Sequence, residues 1–354
     1  MNKMRKRTLL CLFAALMIAS AGGCEKTGNS TDSTDNQENN DQQSGQDEQE
    51  EQRDYPKGVS VTEFKDDLGN GKFCSGYIAT VDFKENPDLK FNVNYSVPMK
   101  KPSEVYANFS QRKGKPCIVI NGGYFAGATS MSMARIDGYT ECTNPRSINW
   151  PNDKNFQKTV YPVRSAFGQM EDGSFEAQWA YCIDPSSREH YSFPSTMGNN
   201  EKNKTFIGEP LTKETLGGKP WHPEEAIGGG PRLVKDRKNI ALESYWGEVL
   251  DSGGTAGTSR QPRTAIGKTR DNSIILIVCD GRGMNGSSGF TLNELANKLI
   301  SLGATDAINL DGGGSSAMIG AGGKVLNRPS DSGNGETIVE RKVITTVVIS
   351  EMQK

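Results

Sequence analysis

The chain has 354 residues, 34% hydrophobic and 24% charged, with 40 Gly, 7 Cys and a net charge of −2. Its 2 histidines, His190 and His222, stand far apart, which argues against a His-rich metal site. The near-neutral balance argues against nucleic acid as the main partner, and the length suits one large domain or two small ones.

At the N-terminus, Lys3, Arg5, Lys6 and Arg7 precede an apolar run over 9–19 that is too short to span a bilayer comfortably. The run leads to Ala21-Gly22-Gly23-Cys24. Small residues before a Cys resemble a bacterial lipoprotein cleavage site, with Ala21 standing where Leu is usual. The expectation is a lipoprotein signal peptide over 1–23 and a lipidated Cys24. It places the protein outside the cytoplasm, lipid-anchored to the cell envelope, either periplasmic or surface-exposed on an outer membrane. Residues 25–54 hold ten acids, two bases and almost no apolar side chains. Such a segment cannot bury enough surface to offset the cost of ordering, so a disordered acidic tether is expected. The acidity belongs to that tether, and 55–354 is read as a single, nearly neutral domain.

Within 55–354 the pattern predicts strands over 77–83 and 89–97, where apolar residues nearly alternate. Cys117-Ile118-Val119-Ile120 is a short apolar run that stops at Asn121. Residues 163–170 and 175–183 read as a hairpin around Glu171-Asp172-Gly173. Further strands are expected at 273–279 and 342–350. A helix over 291–302 carries a capping box (Thr291, Glu294), an apolar stripe and a terminal Gly303. Lying between the strands at 273–279 and 305–310, it suggests a β-α-β crossover. A weaker helix is expected over 98–108, and long loops over 140–160 and 184–225. The fold class is α+β: β-rich, mixed twisted sheets with a few helices, and Gly-rich strand-end loops forming one pocket. Cys117 and Cys279 read as buried thiols, and a disulfide among Cys74, Cys142 and Cys182 is left open.

The chemistry-bearing residues sit where strands run into glycine. These places are Asn121-Gly122-Gly123-Tyr124-Phe125, Gly228-Gly229-Gly230-Pro231-Arg232, Arg263-Thr264-Ala265-Ile266-Gly267, Asp280-Gly281-Arg282 and Asn309-Leu310-Asp311-Gly312-Gly313-Gly314-Ser315-Ser316. Glycine there lets a ligand approach the backbone, and successive N–H groups make anion-binding concavities. No His lies near a Ser cluster, so acid–base work falls to carboxylates, of which Asp280, Asp311 and Glu294 are best placed. Bland readings stand beside these: Glu294 as a helix cap, Asp280 as a turn former, Arg232 as a surface residue. Trp221 and Trp246 are read as possible sugar platforms, as are Tyr124 and Phe125.

This ordered series, with Gly289-Phe290-Thr291-Leu292-Asn293-Glu294-Leu295-Ala296 and Asn327-Arg328-Pro329, resembles the phosphodiester glycosidase family, to which the mannose 6-phosphate uncovering enzyme belongs. The resemblance covers roughly 115–350 and is most specific in its last third. It implies cleavage of a sugar-1-phosphate diester at the anomeric carbon. A phosphomonoester leaves with little protonation, so one carboxylate plus arginines gripping the phosphate suffices. Arg263 and Arg282 are assigned to phosphate, with Arg328 and Arg232 as weaker candidates, and Asp311 is the first choice of carboxylate. No cofactor is required. A divalent cation on Asp280, Asn309 and Asp311 is compatible with the residues. The expected substrate is a phosphorylated carbohydrate of the envelope or the extracellular space. Two alternatives remain: a non-catalytic surface glycan-binding lipoprotein, and a hydrolase that breaks P–O.

Overall fold

Apolar and β-branched runs pair into antiparallel sheets that organise the described part of the chain. A computed structural model describes residues 55–151, 158–250 and 256–353, all within the unit Asp47–Lys354. The signal peptide, Cys24 and the acidic tether expected over 1–54 lie outside the described residues.

The first seven-stranded sheet runs in the order Val59–Asp67, Phe73–Val81, Ile274–Cys279, Arg263–Thr269, Ala304–Asn309, Arg232–Lys235, Lys238–Asn239. The second runs Lys219–Pro220, Glu189–Phe193, Phe175–Asp184, Arg164–Gln169, Glu225–Gly228, Ala134–Ile136, Tyr139–Cys142. A four-stranded sheet of Met318–Ile319, Lys115–Asn121, Val343–Glu351 and Leu89–Lys100 completes the frame. One core cluster draws on all three: Ile266, Ile308 and Leu276 from the first, Phe167 and Ile227 from the second, Phe91, Ile118 and Val347 from the third. Burial of these side chains is the main force that holds the sheets together.

The helix Leu292–Ser301 forms as its caps dictate. Thr291 accepts from the Glu294 N–H, the Glu294 carboxylate accepts from the Thr291 N–H, and Gly303 takes φ +95° after the end. Its buried Leu292, Leu295, Ala296 and Leu299 pack on Ile275, Ile277 and Leu233. The helix connects Ile274–Cys279 to Ala304–Asn309, but Arg263–Thr269 lies between them, antiparallel to both. The crossover therefore skips one strand.

Several expectations change. The ladders joining the named strands are antiparallel, so the sheets are antiparallel where mixed sheets were expected. The expected helix over 98–108 shrinks to Pro102–Ala107, because the preceding strand continues to Lys100 on pairing with Val343. The expected loop over 140–160 contains Ile148–Trp150 paired with Lys158–Val160, and the loop over 184–225 contains Glu189–Phe193, laid on the hairpin strand. The polar strand Val59–Asp67 and the helix Ala241–Gly247 have no strong signal in the sequence and form through tertiary pairing and packing. The five cysteines of the described residues are free thiols, with Cys74, Cys117, Cys182 and Cys279 buried.

Candidate active site

The loop after Ala304–Asn309 is the hub on which the other strand ends converge. Its backbone is bonded to three of them. The Asp311 N–H donates to Gly122 O (3.0 Å), the Gly230 N–H to Asn309 O (2.7 Å), the Leu310 N–H to Thr264 O (2.8 Å) and the Gly313 N–H to Pro262 O (2.9 Å). Asn121, fully buried, adds a side-chain clip. Its Nδ2 donates to Asp311 O (2.7 Å), while its Oδ1 accepts from Thr264 Oγ1 (2.7 Å) and the Ala317 N–H (3.2 Å). Such closeness needs glycine. A Cβ on Gly312 would stand 2.8 Å from Pro262 O, and Gly313 holds φ +62°.

A cleft of about 730 Å³ opens over this hub. Asp311, Gly312, Gly313 and Gly314 line it together with Arg263, Arg282, Gln261 and Tyr124. Arg164, Arg341, Tyr245, Ser147 and Asn149 line it as well. Asp311 is the only acidic side chain among these lining residues, and four arginines face the same space. Burial pushes the Asp311 carboxyl up to about 6, against the opposing pull of nearby Ser315, the Gly312 N–H (2.9 Å) and the Arg341 charge. Ser315 Oγ is near that carboxyl yet forms no regular hydrogen bond.

The arginines are held in different ways. Arg263, buried, donates through Nε to Phe290 O (3.1 Å) and through Nη2 to Ser259 O (2.8 Å). Arg282, in a left-handed backbone conformation (φ +57°), donates to Gln261 Oε1 (2.9 Å) and Ser330 Oγ (3.3 Å), and its guanidinium covers Gly313. Arg164 donates to Val249 O (3.0 Å). The Tyr124 hydroxyl donates to Gly230 O (2.7 Å) and accepts from Asn309 Nδ2 (2.8 Å), which fixes its ring at the cleft wall.

Other expected site residues are set behind the wall. Asn121, Gly122, Gly123, Gly229, Gly230, Thr264, Asn309, Ser315 and Ser316 are absent from the lining and brace it instead. Asp280 is 2% exposed, and three N–H donors converge on its carboxylate: Asn327 Nδ2 (3.1 Å), the Arg328 N–H (2.8 Å) and Asn285 Nδ2 (2.8 Å). Burial still raises its pKa. These donors fit an anion, not a cation, and no group of three or more His, Cys, Asp or Glu among the described residues is arranged to hold a metal. Glu294 caps its helix and pairs with Arg260; burial works against these bonds, yet they hold its carboxyl below the usual range. Neither acid lines the cleft.

Arg328 spends its side chain on the Gly333 and Gly335 carbonyls. Arg232, read as a surface residue, is buried. It pairs with Asp306 (2.5 Å) and lies 5.0 Å from the Trp179 ring centroid. The tryptophan platforms do not appear in the lining: Trp221 is buried, and Trp246 packs in the core on the helix whose neighbouring Tyr245 lines the cleft. Arg164, Arg341 and Tyr245 were not singled out from the sequence. A search confined to strand ends overlooks Arg341, which stands just before its strand, in Glu340-Arg341-Lys342.

The fold is similar to solved structures. The zebrafish N-acetylglucosamine-1-phosphodiester alpha-N-acetylglucosaminidase catalytic domain, auto-inhibited by its pro-peptide, superposes with a TM-score of 0.55 at 19% identity, over 84% of each chain. A hypothetical protein from Synechocystis matches with a TM-score of 0.50 at 15% identity, over 82% of this chain and 62% of that one. In sequence, the SPbeta prophage-derived uncharacterized protein YomE of Bacillus subtilis (strain 168) is 35% identical over 119 residues. That is 33% of this chain but only 16% of YomE, so the match spans a small part of that protein's length. The model of the phosphodiester glycosidase family matches residues 115–350, the region that holds the hub loop, the cleft carboxylate and all four arginines. The chain belongs to the phosphodiester glycosidase family.

Proposed function

We propose that the protein cleaves glycosyl phosphodiesters at the anomeric carbon, on cell-envelope or extracellular glycans. What supports this reading is one observation: among the described residues, a single carboxylate, Asp311, lines a cleft with four arginines. Cleaving an ordinary glycoside uses two carboxylates, because the leaving alkoxide must be protonated. A phosphomonoester leaves as a stable anion, so the need shifts from a proton donor to positive charge. Arg282 and Arg263 receive the phosphate, and the Gly312–Gly314 backbone lets it lie close. Asp311 in its ionised form works at the anomeric carbon, as base toward water or as nucleophile. Asp280 and Asn121 position the loops that carry these groups. Tyr124 and Tyr245 offer ring faces to the sugar.

The experiment is incubation of the full-length protein with a panel of sugar-1-phosphate diesters and nucleotide sugars in ¹⁸O water. Free sugar carrying the label is expected. Label in the phosphate would instead mean P–O cleavage. Saturable glycan binding with no release across the panel would leave a binding protein and sink the hydrolytic assignment.

The lipid anchor at Cys24 is part of the same proposal, supported by the basic, apolar and small-residue order of 1–24. Metabolic labelling with an alkynyl fatty acid is expected to tag the wild type and not Cys24→Ser. Equal tagging of both would remove the anchor.

A further inference from the structure

The sequence directs attention to Arg263 and Arg282, but the structure brings a third guanidinium to the cleft with a support of its own. Asp331 accepts from Arg341 at both carboxylate oxygens, from Nε at 2.9 Å and from Nη2 at 2.8 Å. That fork fixes the plane of the guanidinium and leaves Nη1 without a protein partner among the described residues. Arg341 lines the cleft with Asp311, and its charge reaches that carboxyl. The pair lies directly on Gly314, where a Cβ would overlap both Asp331 Oδ1 and Arg341 Nη2. Gly314 is therefore the opening through which the pair reaches the hub loop. Neighbouring Ser330 accepts from Arg282 Nη1 (3.3 Å), so the segment that holds Arg341 also holds the tip of Arg282.

We propose that Arg341, held in plane by Asp331, is a phosphate-gripping residue of the cleft, and that Asp331 is its positioning residue. This rests on the glycosyl phosphodiester reading. The incoming anion takes the open Nη1 edge and competes with Asp331 for Nη2. Asp331 thus trades some anion affinity for a fixed geometry beside Asp311. Arg263, with Nε and Nη2 committed to carbonyls, has less freedom to follow the phosphate as it departs.

The test uses the full-length protein and inorganic phosphate as the probe, titrated calorimetrically, beside kcat and KM on a sugar-1-phosphate diester. Arg341→Gln is expected to weaken phosphate binding about tenfold or more and to raise KM. Arg341→Lys keeps the charge but loses the fork, so it recovers part of the affinity and little of kcat. Asp331→Asn is expected to bind phosphate at least as tightly as wild type while kcat falls about tenfold, since the competing charge and the orientation go together. Opposite movement of affinity and kcat is not what a merely folding-related role would give. The proposal is overturned if Arg341→Gln binds phosphate like wild type, if Asp331→Asn weakens phosphate as Arg341→Gln does, or if wild type shows no saturable phosphate binding. The expected phosphate pattern without sugar release from any diester would sink the hydrolytic reading and leave the Arg341 anion site standing.

Discussion

Asp311→Asn is expected to lower sugar release by roughly 10³-fold or more, with the fold intact. Asparagine keeps the shape and can still accept from the Gly312 N–H, but it cannot serve as base or nucleophile. The backbone bonds of residue 311 to Gly122 and Asn121 do not involve the side chain and survive the change. Burial lifts the wild-type carboxyl from 3.8 to about 6, so kcat/KM should rise with pH through about 6 as the working anion forms. A limb falling above 6 would mean that the protonated form works, and would turn Asp311 into a proton donor. Stability carries a second signature. A carboxyl whose folded pKa is raised contributes its stabilisation below its unfolded value, and loses it as pH rises through the folded value. Above pH 6 the wild type therefore holds an unfavourable charge that Asp311→Asn lacks. The variant should be more stable at pH 8, by up to about 3 kcal/mol, and show little difference at pH 3. Full turnover in Asp311→Asn would remove it from the chemistry.

Asp280→Ala is expected to act in the opposite manner, through folding. Removing this carboxylate leaves Asn327 Nδ2, the Arg328 N–H and Asn285 Nδ2 turned toward a site with no acceptor. The loss should be about 3 kcal/mol or more in chemical denaturation, with the turns on either side of Arg282 and Arg328 loosened. Activity should follow the folded fraction and the disorder of Arg282, appearing mainly as a raised KM. Unchanged stability with abolished kcat would contradict this and make Asp280 a catalytic group.

These two aspartates show how far the sequence reaches. Each follows an apolar strand and precedes glycine: Cys279-Asp280-Gly281 and Leu310-Asp311-Gly312 are nearly the same local pattern. The sequence places both at strand ends, which the structure reproduces. It does not separate them, because the difference lies in partners that come from elsewhere. Asn285, Asn327 and Arg328 surround one carboxylate with donors, whereas the other meets a single N–H and an open cleft. Glu294 was legible for the contrary reason: a capping box is closed within four residues, so its bonds are written in the spacing.

The same division runs through the rest of the molecule. Periodicity and turn chemistry are local, so the sequence by itself determined the hairpin 164–184, the helix Leu292–Ser301, the apolar central strands and the glycines at their ends. Only the tertiary structure decided that Arg232 is buried on Trp179, that the polar segment Val59–Asp67 is a strand, and that Arg164 and Arg341 join Arg263 and Arg282 around one carboxylate. A charged side chain shows no period and no propensity that reveals its surroundings. Whether it is buried, paired or facing a cleft depends on which distant segments pack against it, and that is settled when the sheets close on their shared core.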